Sequence, residues 1–386
     1  MKKCIALLAV LLLLTGCTSA PVETESTTLE TTRETTLPPE TTLPPKSREE
    51  TKIFISLPEE TDPNWSLAGE DLKMLFENLT YQVSLAYAQS DPMTQSQQLI
   101  QAIEEGVDCL IVAAVDSHAL TDACDLALER RIPMIAYDRL VMDSEAVRYY
   151  ISFDYYTMGM AMGKHIVQEA KLERLGEGQS LTIEFFMGSP DDSNALIFYN
   201  GLMQVLQPWL ESGKLVTKTG RTAFEDTCVV GLDTTLVDSM LTGYLSEYYN
   251  RTAPDILCTA ADTLAAACIA TLEKNRPDSQ VLITGFGNTP EGAENIRAGK
   301  QAVTVGRDRM VLNDRCVLLV DDMLQGKEPE VNDTESCNNN AVIVPAYLCS
   351  FTLITLDNLP RPEQPETTGA ADATTASTAP SAPTQP

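Results

Sequence analysis

Short apolar runs alternate with segments of helical apolar spacing through the middle of the chain, between residues 51 and 358. The apolar runs predict strands at 52–57, 81–87, 107–115 and 133–137. Between them, 66–79, 93–105 and 117–131 place apolar residues three or four positions apart and predict helices. This regular alternation predicts βαβ units and therefore a parallel, doubly wound sheet.

The same alternation then starts again, which predicts a second sheet. The second set of predicted strands comprises 148–153, 181–187, 214–219, 255–259, 280–285 and 302–305. The second set of predicted helices comprises 155–170, 191–211, 225–249, 261–274, 290–298 and 309–324. Because this region is about twice the usual domain size, we expect an α/β protein with two Rossmann-like lobes.

Both ends of the chain have a composition that does not build a core. Residues 18–50 repeat Glu-Thr-Thr and Leu-Pro-Pro, and 359–386 are rich in Thr, Ala and Pro, which predicts a disordered tether and a disordered tail. At the start, two lysines and a short apolar run precede Leu14-Thr15-Gly16-Cys17, which resembles a bacterial lipobox. The resemblance implies a lipoprotein signal peptide at 1–16, lipidation of Cys17, and a tether over 17–50; a plain secretion signal is the alternative.

The charge and the cysteines narrow the classes of function. The formal net charge of −28 argues against nucleic acid, and against binding to an anionic membrane without a lipid. The cysteines form no C-x-x-C pair, and His118 and His165 stand apart in predicted helices, so neither a metal site nor a cofactor is predicted. Cys337 and Cys349 flank a short segment and could pair, but the sequence leaves their disulfide state open.

An acid and a base follow the predicted strand 133–137. In open α/β sheets ligands bind beyond the carboxyl ends of the strands, so Asp138 and Arg139 would lie at such an edge. A carboxylate beside a guanidinium offers acceptors and a planar set of donors, which suits a polyhydroxylated ligand. A salt bridge at the edge of the sheet is the alternative.

Four motifs resemble those of periplasmic sugar-binding proteins. They are Ala136-Tyr137-Asp138-Arg139, Tyr150-Ile151-Ser152-Phe153-Asp154, Met187-Gly188-Ser189-Pro190-x-Asp192-x-Asn194-Ala195 and Gly285-Phe286-x-x-Thr289-Pro290-x-Gly292. The first three resemble the xylose-binding and multiple-sugar receptor branch, and the fourth resembles the ribose-binding branch of the same family. The resemblance implies the type I periplasmic binding protein fold, with three hinge strands and a cleft that closes on a sugar. We expect an N-terminal lobe from 51–154 plus 307–343, and a C-terminal lobe from 155–306 plus 344–358.

The resemblance also implies roles for individual residues. Trp65 matches an aromatic that stacks on the sugar, and the remaining expected ligand residues are Asp138, Arg139, Asp192, Asn194, Phe224, Asp262, Asn288 and Arg307. The chain departs from the pattern where Ala261 replaces an Asn ligand and Gly287 replaces an acid; Asn64 stands near the place of an Arg that is absent. These departures favour a sugar in general over xylose in particular.

For five of these residues, an ordinary structural role is the alternative to ligand binding. Trp65 and Phe224 could be core aromatics, Asp192 and Asp262 could favour helix N-termini, and Arg307 could be a solvated hinge charge.

The resemblance implies a monomeric, membrane-anchored extracytoplasmic receptor. It would bind a xylose-like monosaccharide or a short oligosaccharide and deliver it to the permease of an ABC importer. A sugar sensor feeding a sensor kinase or a chemoreceptor is the alternative. Catalysis is not expected, because the sequence has neither a nucleophile elbow nor a phosphate-binding loop.

Overall fold

The computed structural model describes residues 46–360. The signal peptide, Cys17 and most of the predicted tether and tail lie outside this range. Within it, the strands are β1 (Lys52–Leu57), β2 (Gln82–Tyr87), β3 (Cys109–Val112), β4 (Met134–Tyr137), β5 (Val147–Phe153), β6 (Leu181–Phe186), β7 (Leu215–Val216), β8 (Ile256–Thr259), β9 (Leu282–Ile283), β10 (Val303–Gly306), β11 (Ala346–Cys349) and β12 (Thr352–Thr355). The α-helices are α1 (Pro63–Asn78), α2 (Pro92–Glu104), α3 (Thr121–Arg130), α4 (Tyr155–Glu169), α5 (Ser193–Glu211), α6 (Phe224–Thr227), α7 (Thr234–Glu247), α8 (Asp262–Asn275), α9 (Pro290–Arg297) and α10 (Arg309–Leu324).

Two separate parallel sheets confirm the predicted α/β class. Across 46–360, the first sheet has the strand order β11-β5-β4-β3-β1-β2, and every pairing in it is parallel. The second has the order β7-β6-β8-β9, again parallel. The antiparallel pair β10-β12 continues it through a bridge between Thr284 and Val303.

The chain crosses between the two sheets where β5 leads into α4, where β10 leads into α10, and where β11 leads into β12. The last crossing corrects the expected lobe boundary, which assigned all of 344–358 to the C-terminal lobe. Instead β11 pairs with β5 in the first sheet, and only β12 joins the second. The sequence did not predict these two strands, because each is four residues long and takes its hydrogen bonds from distant parts of the chain.

The predicted helix 225–249 is in fact two helices. Between α6 and α7, Cys228 and Val229 are extended (ψ 142° and 99°), which ends α6, and the Asp233 side chain accepts from the Thr235 amide to start α7. The predicted helical position of His118 is also wrong, since this residue lies in the loop between β3 and α3. Its Nδ1 is 2.5 Å from Asp143 Oδ2.

The tight crossing of α4 and α5 fixes the start of α5 in the second lobe. A Cβ on Gly159 would lie 2.0 Å from the Phe198 carbonyl oxygen, and one on Gly201 would lie 2.0 Å from that of Tyr156. Only glycine permits this approach, so the two helices pack backbone to backbone. The residues just before α5 are thereby held at one position relative to the crossing that leads into α4.

The eight cysteines between residues 46 and 360 are free thiols, Cys337 and Cys349 included. Over the same residues, no group of three or more His, Cys, Asp or Glu side chains is arranged to hold a metal ion. No helix in this part of the chain combines the length and apolar composition that a membrane span requires.

Candidate functional site

Strand β4 ends in a strained turn that presents Asp138 and Arg139. Asp138 has a φ of 60°, which lies in the left-handed region. This backbone conformation is unfavourable in free energy for any residue other than glycine. The surrounding structure holds it there, because its amide donates to the Ile151 carbonyl at 2.8 Å. Its own carbonyl lies 2.9 Å from the Tyr150 hydroxyl and 2.8 Å from that of Ser152. Strain of this kind concentrates at binding sites.

The Arg139 guanidinium contacts two backbone carbonyls and the Trp65 ring, and one of its nitrogens has no partner among residues 46–360. Its Nη1 donates to the carbonyls of Ala114 and Val115 at 3.1 and 3.3 Å, at the end of β3. Its guanidinium carbon lies 5.3 Å from the centre of the Trp65 ring, a cation–π arrangement. The buried Nε has no hydrogen-bond partner within the described part of the chain. Buried donors are normally paired, so this nitrogen is an exception among the described residues.

The start of α5, in the second lobe, contacts this turn in the first lobe. Asp192 caps α5 by accepting from the Asn194 amide at 3.0 Å, and its Oδ2 lies 3.4 Å from Arg139 Nη2. Burial raises the pKa of Asp192, and the positive charge of Arg139 offsets part of that rise. The carboxylate therefore depends on Arg139 for its ionised form.

Asn194 also spans the two lobes but is committed to protein groups. It is 3% exposed, and its Nδ2 donates to the Asp138 carbonyl at 2.8 Å. Its Oδ1 lies 3.2 Å from the Tyr150 hydroxyl. Beside it, the hydroxyls of Ser117 and Ser193 are 3.3 Å apart. We call these direct contacts of Asp192, Ser193 and Asn194 with the first lobe the interlobe latch.

Arg307 adds a second positive charge from the crossing between β10 and α10. Its Nη1 donates to the Tyr155 hydroxyl and is 4.0 Å from Asp138 Oδ1, while that hydroxyl donates to the same carboxylate oxygen at 2.8 Å. Its guanidinium carbon lies 4.8 Å from the centre of the Phe286 ring. Burial lowers the pKa of Arg307, but the nearby negative groups outweigh it and the net shift is upward. Burial raises the pKa of Tyr155 well above its usual value, so its hydroxyl keeps its proton as a donor.

The structure thus links six of the expected site residues by direct contacts; they are Trp65, Asp138, Arg139, Asp192, Asn194 and Arg307. The other three take other positions. Phe224 is buried, and its ring centre lies 5.4 Å from that of Tyr199. Asn288 is exposed, and its backbone amide donates to Thr304 Oγ1.

Asp262 is occupied by the protein itself. It is 1% exposed, and its carboxylate accepts from the Thr289 amide and from Gln301 Nε2, both at 2.8 Å. It therefore ties the start of α8 to the start of α9 and to Gln301, two positions before β10. This arrangement matches the helix N-terminal role considered as the alternative.

The residue-by-residue assignment missed four side chains, namely Tyr150, Ser152, Tyr155 and Phe286. Three of them stand in the motifs that carry the resemblance, yet no role was assigned to them. Tyr155 directly follows the motif at 150–154 and is the first residue of α4. This position could have indicated a role in the site, since a residue at a hinge lies within reach of both lobes.

Comparisons with known proteins agree on one family. A family model described as a periplasmic binding protein domain matches residues 53–328. The multiple sugar-binding periplasmic protein SbpA of Azospirillum brasilense is 33% identical over 77% of this chain and 83% of its own length. The D-xylose-binding periplasmic protein of Escherichia coli is 26% identical over 80% of this chain and 88% of its own.

A solved structure gives the same result. An ABC transporter solute-binding protein from Clostridium phytofermentans, determined with bound β-D-glucose, superimposes with a TM-score of 0.75 at 31% identity. The match covers 80% of this chain and 95% of that one. With the two sheets, the three crossings and this agreement, the chain belongs to the periplasmic binding protein family and has its type I fold.

Proposed function

We propose that this protein is a lipid-anchored extracytoplasmic receptor that captures a sugar between its lobes and delivers it to an ABC importer. The observation that carries the proposal is the meeting of Asp138, Arg139, Asp192 and Arg307 beside Trp65, with groups from both lobes. The names of the relatives, which include multiple-sugar and xylose binding, and the glucose in the Clostridium structure support a carbohydrate ligand.

The site chemistry suits neutral polyols. Carboxylates accept from sugar hydroxyls, guanidinium groups donate to their oxygens, and the Trp65 face packs against the C–H face of a ring. Two acids and two arginines balance in charge, which favours an uncharged ligand. The groups in contact bind and orient a solute, and none of these contacts sets a nucleophile against a base, in keeping with a family of binding proteins that are not enzymes.

Hinge closure would convert binding into a signal for the permease. A ligand that contacts both lobes stabilises the closed state over the open one, and the permease can distinguish the two shapes. Anchoring through Cys17 would keep the receptor near the permease. The Cys17→Ala protein should leave the membrane fraction, and continued pelleting with membranes would contradict the anchor.

A thermal-shift screen of monosaccharides and short oligosaccharides tests the binding function. A ligand specific for the folded protein raises the melting temperature as its concentration exceeds the Kd. The shift should vanish in Arg139→Ala and persist in Lys171→Ala, an exposed control in the second lobe. If no carbohydrate shifts the wild-type protein, or if Arg139→Ala responds normally, the proposal fails.

A further inference from the structure

One phenol hydroxyl bridges two opposite charges at the crossings between the lobes. The Tyr155 hydroxyl donates to Asp138 Oδ1 at 2.8 Å and accepts from Arg307 Nη1. Those two charged atoms, Arg307 Nη1 and Asp138 Oδ1, are 4.0 Å apart. A direct hydrogen bond between a guanidinium and a carboxylate would bring them to about 2.7–2.9 Å. The two charges are therefore joined through Tyr155 and not directly.

The chemistry of the three groups fixes the direction of this bridge. Burial raises the pKa of Tyr155 well above its usual value, so the hydroxyl carries its single proton. Because a guanidinium can only donate, the hydroxyl accepts from Arg307 and gives its own proton to Asp138. Across residues 46–360, the Asp138 carboxylate accepts hydrogen bonds through Oδ1 alone, which leaves Oδ2 for another partner. Tyr155 thus occupies one oxygen of the carboxylate and one N–H of the guanidinium.

The other contacts of the Arg307 guanidinium would allow it to move toward Asp138. Its carbon lies 4.8, 5.5 and 5.7 Å from the ring centres of Phe286, Tyr155 and Phe153. A cation–π contact requires only that the charge lie within about 6 Å of the ring centre. A shift of about 1 Å would therefore join the guanidinium to the carboxylate. The two side chains are 27% and 13% exposed, and a direct pair is stronger there than in water.

We propose that Tyr155 is a positioning residue whose hydroxyl keeps Asp138 and Arg307 from pairing directly, so that both stay available to the ligand. This inference rests on the proposed sugar-binding function. A direct pair would satisfy the carboxylate and the guanidinium with each other, and a sugar would have to separate them before it could bind. With the phenol in place, Asp138 Oδ2 and the remaining N–H groups of Arg307 are already arranged as acceptor and donors for sugar hydroxyls.

Tyr155→Phe removes the hydroxyl and keeps the ring. The full chain is titrated calorimetrically with D-glucose, D-xylose and the sugar that raises the melting temperature most. Each sugar that binds the wild type should bind the variant at least about tenfold more weakly, the equivalent of one charge-assisted hydrogen bond. The urea midpoint without sugar should equal or exceed that of the wild type, because the direct pair replaces the two lost contacts. Tyr156→Phe, next on α4 and exposed, is the matched control and should change neither quantity.

A merely structural role for Tyr155 predicts a different pattern. Tyr155→Phe would then lower the urea midpoint and leave the affinity unchanged, and that result overturns the inference. Arg307→Met provides a second readout, because it removes the charge with which Asp138 could pair. In that background Tyr155→Phe should change the affinity by no more than about twofold. An equal loss in both backgrounds would show that the hydroxyl does not act by separating the two charges.

The crystal structure of the Tyr155→Phe protein decides the spacing without any ligand. A nitrogen of Arg307 should lie about 2.8 Å from an oxygen of Asp138. If the two groups stay 4.0 Å apart, the inference is wrong while sugar binding stands. If no carbohydrate binds the wild-type chain, the proposed function fails, and this distance still decides whether Tyr155 separates the charges.

Discussion

Asn194 gives the sharpest test of how the cleft closes. Asn194→Ala removes the contact of 2.8 Å to the Asp138 carbonyl and that of 3.2 Å to the Tyr150 hydroxyl. Neither partner is stranded, because the Tyr150 hydroxyl still lies 2.9 Å from the Asp138 carbonyl, which Ser152 also contacts. The cost is therefore the net value of two hydrogen bonds, about 0.5–1.5 kcal/mol each.

Both bonds cross between the lobes, so this cost applies to the closed state alone. About 1–3 kcal/mol changes the ratio of closed to open protein by roughly 5- to 150-fold. Where the open form dominates without ligand, the affinity for every ligand should fall by that same factor. Calorimetry measures the affinity, and small-angle scattering should show that the unliganded variant is at least as extended as the wild type.

Asn200→Ala is the matched control, since Asn200 is exposed on the same helix. A direct sugar contact by Asn194 would behave differently from a latch. The loss would then vary between ligands according to the hydroxyls that they carry. Unchanged affinity, or a loss confined to some sugars, would refute the latch.

Trp65→Ala should weaken sugar binding at least about tenfold through lost stacking, while the melting temperature without ligand changes little; unaltered calorimetric affinity would show that Trp65 only packs. Asp262→Ala should reduce the free energy of unfolding, measured in urea, by about 2–6 kcal/mol, because the Thr289 amide and the Gln301 side chain lose a buried partner. A variant that is fully stable but fails to bind sugar would contradict this structural role. Burial raises the pKa of Asp192, so its neutral form stabilises the fold: that contribution is complete below the usual value of 3.8 and is lost as the pH rises through the higher pKa of the folded state. Asp192→Asn keeps a capping side chain and should remove this pH dependence from melting curves; curves that match the wild type at every pH would count against it.

Local sequence patterns explain which parts of the fold and of the candidate site could be predicted. Alternating apolar runs and helical spacing determine the βαβ units, because each element must bury its apolar side against the sheet. Asp138 and Arg139 could be placed at an edge, since a residue that follows a buried parallel strand emerges there. The same reasoning failed for α6 and α7, where extended backbone at Cys228 and Val229 interrupts a continuous helical pattern.

The sequence by itself determined the α/β class, the two sheets and the position of Asp138 and Arg139 at the end of a strand, because these follow from periodicity and from position along a strand. Only the tertiary structure decided how those residues are used. It joined Asn194 to the Asp138 carbonyl, turned Asp262 toward Gln301, and brought Tyr155 to Arg307. Each pair is separated by 39 to 152 positions, and a hydrogen bond depends on distance and angle in space, which local patterns do not encode.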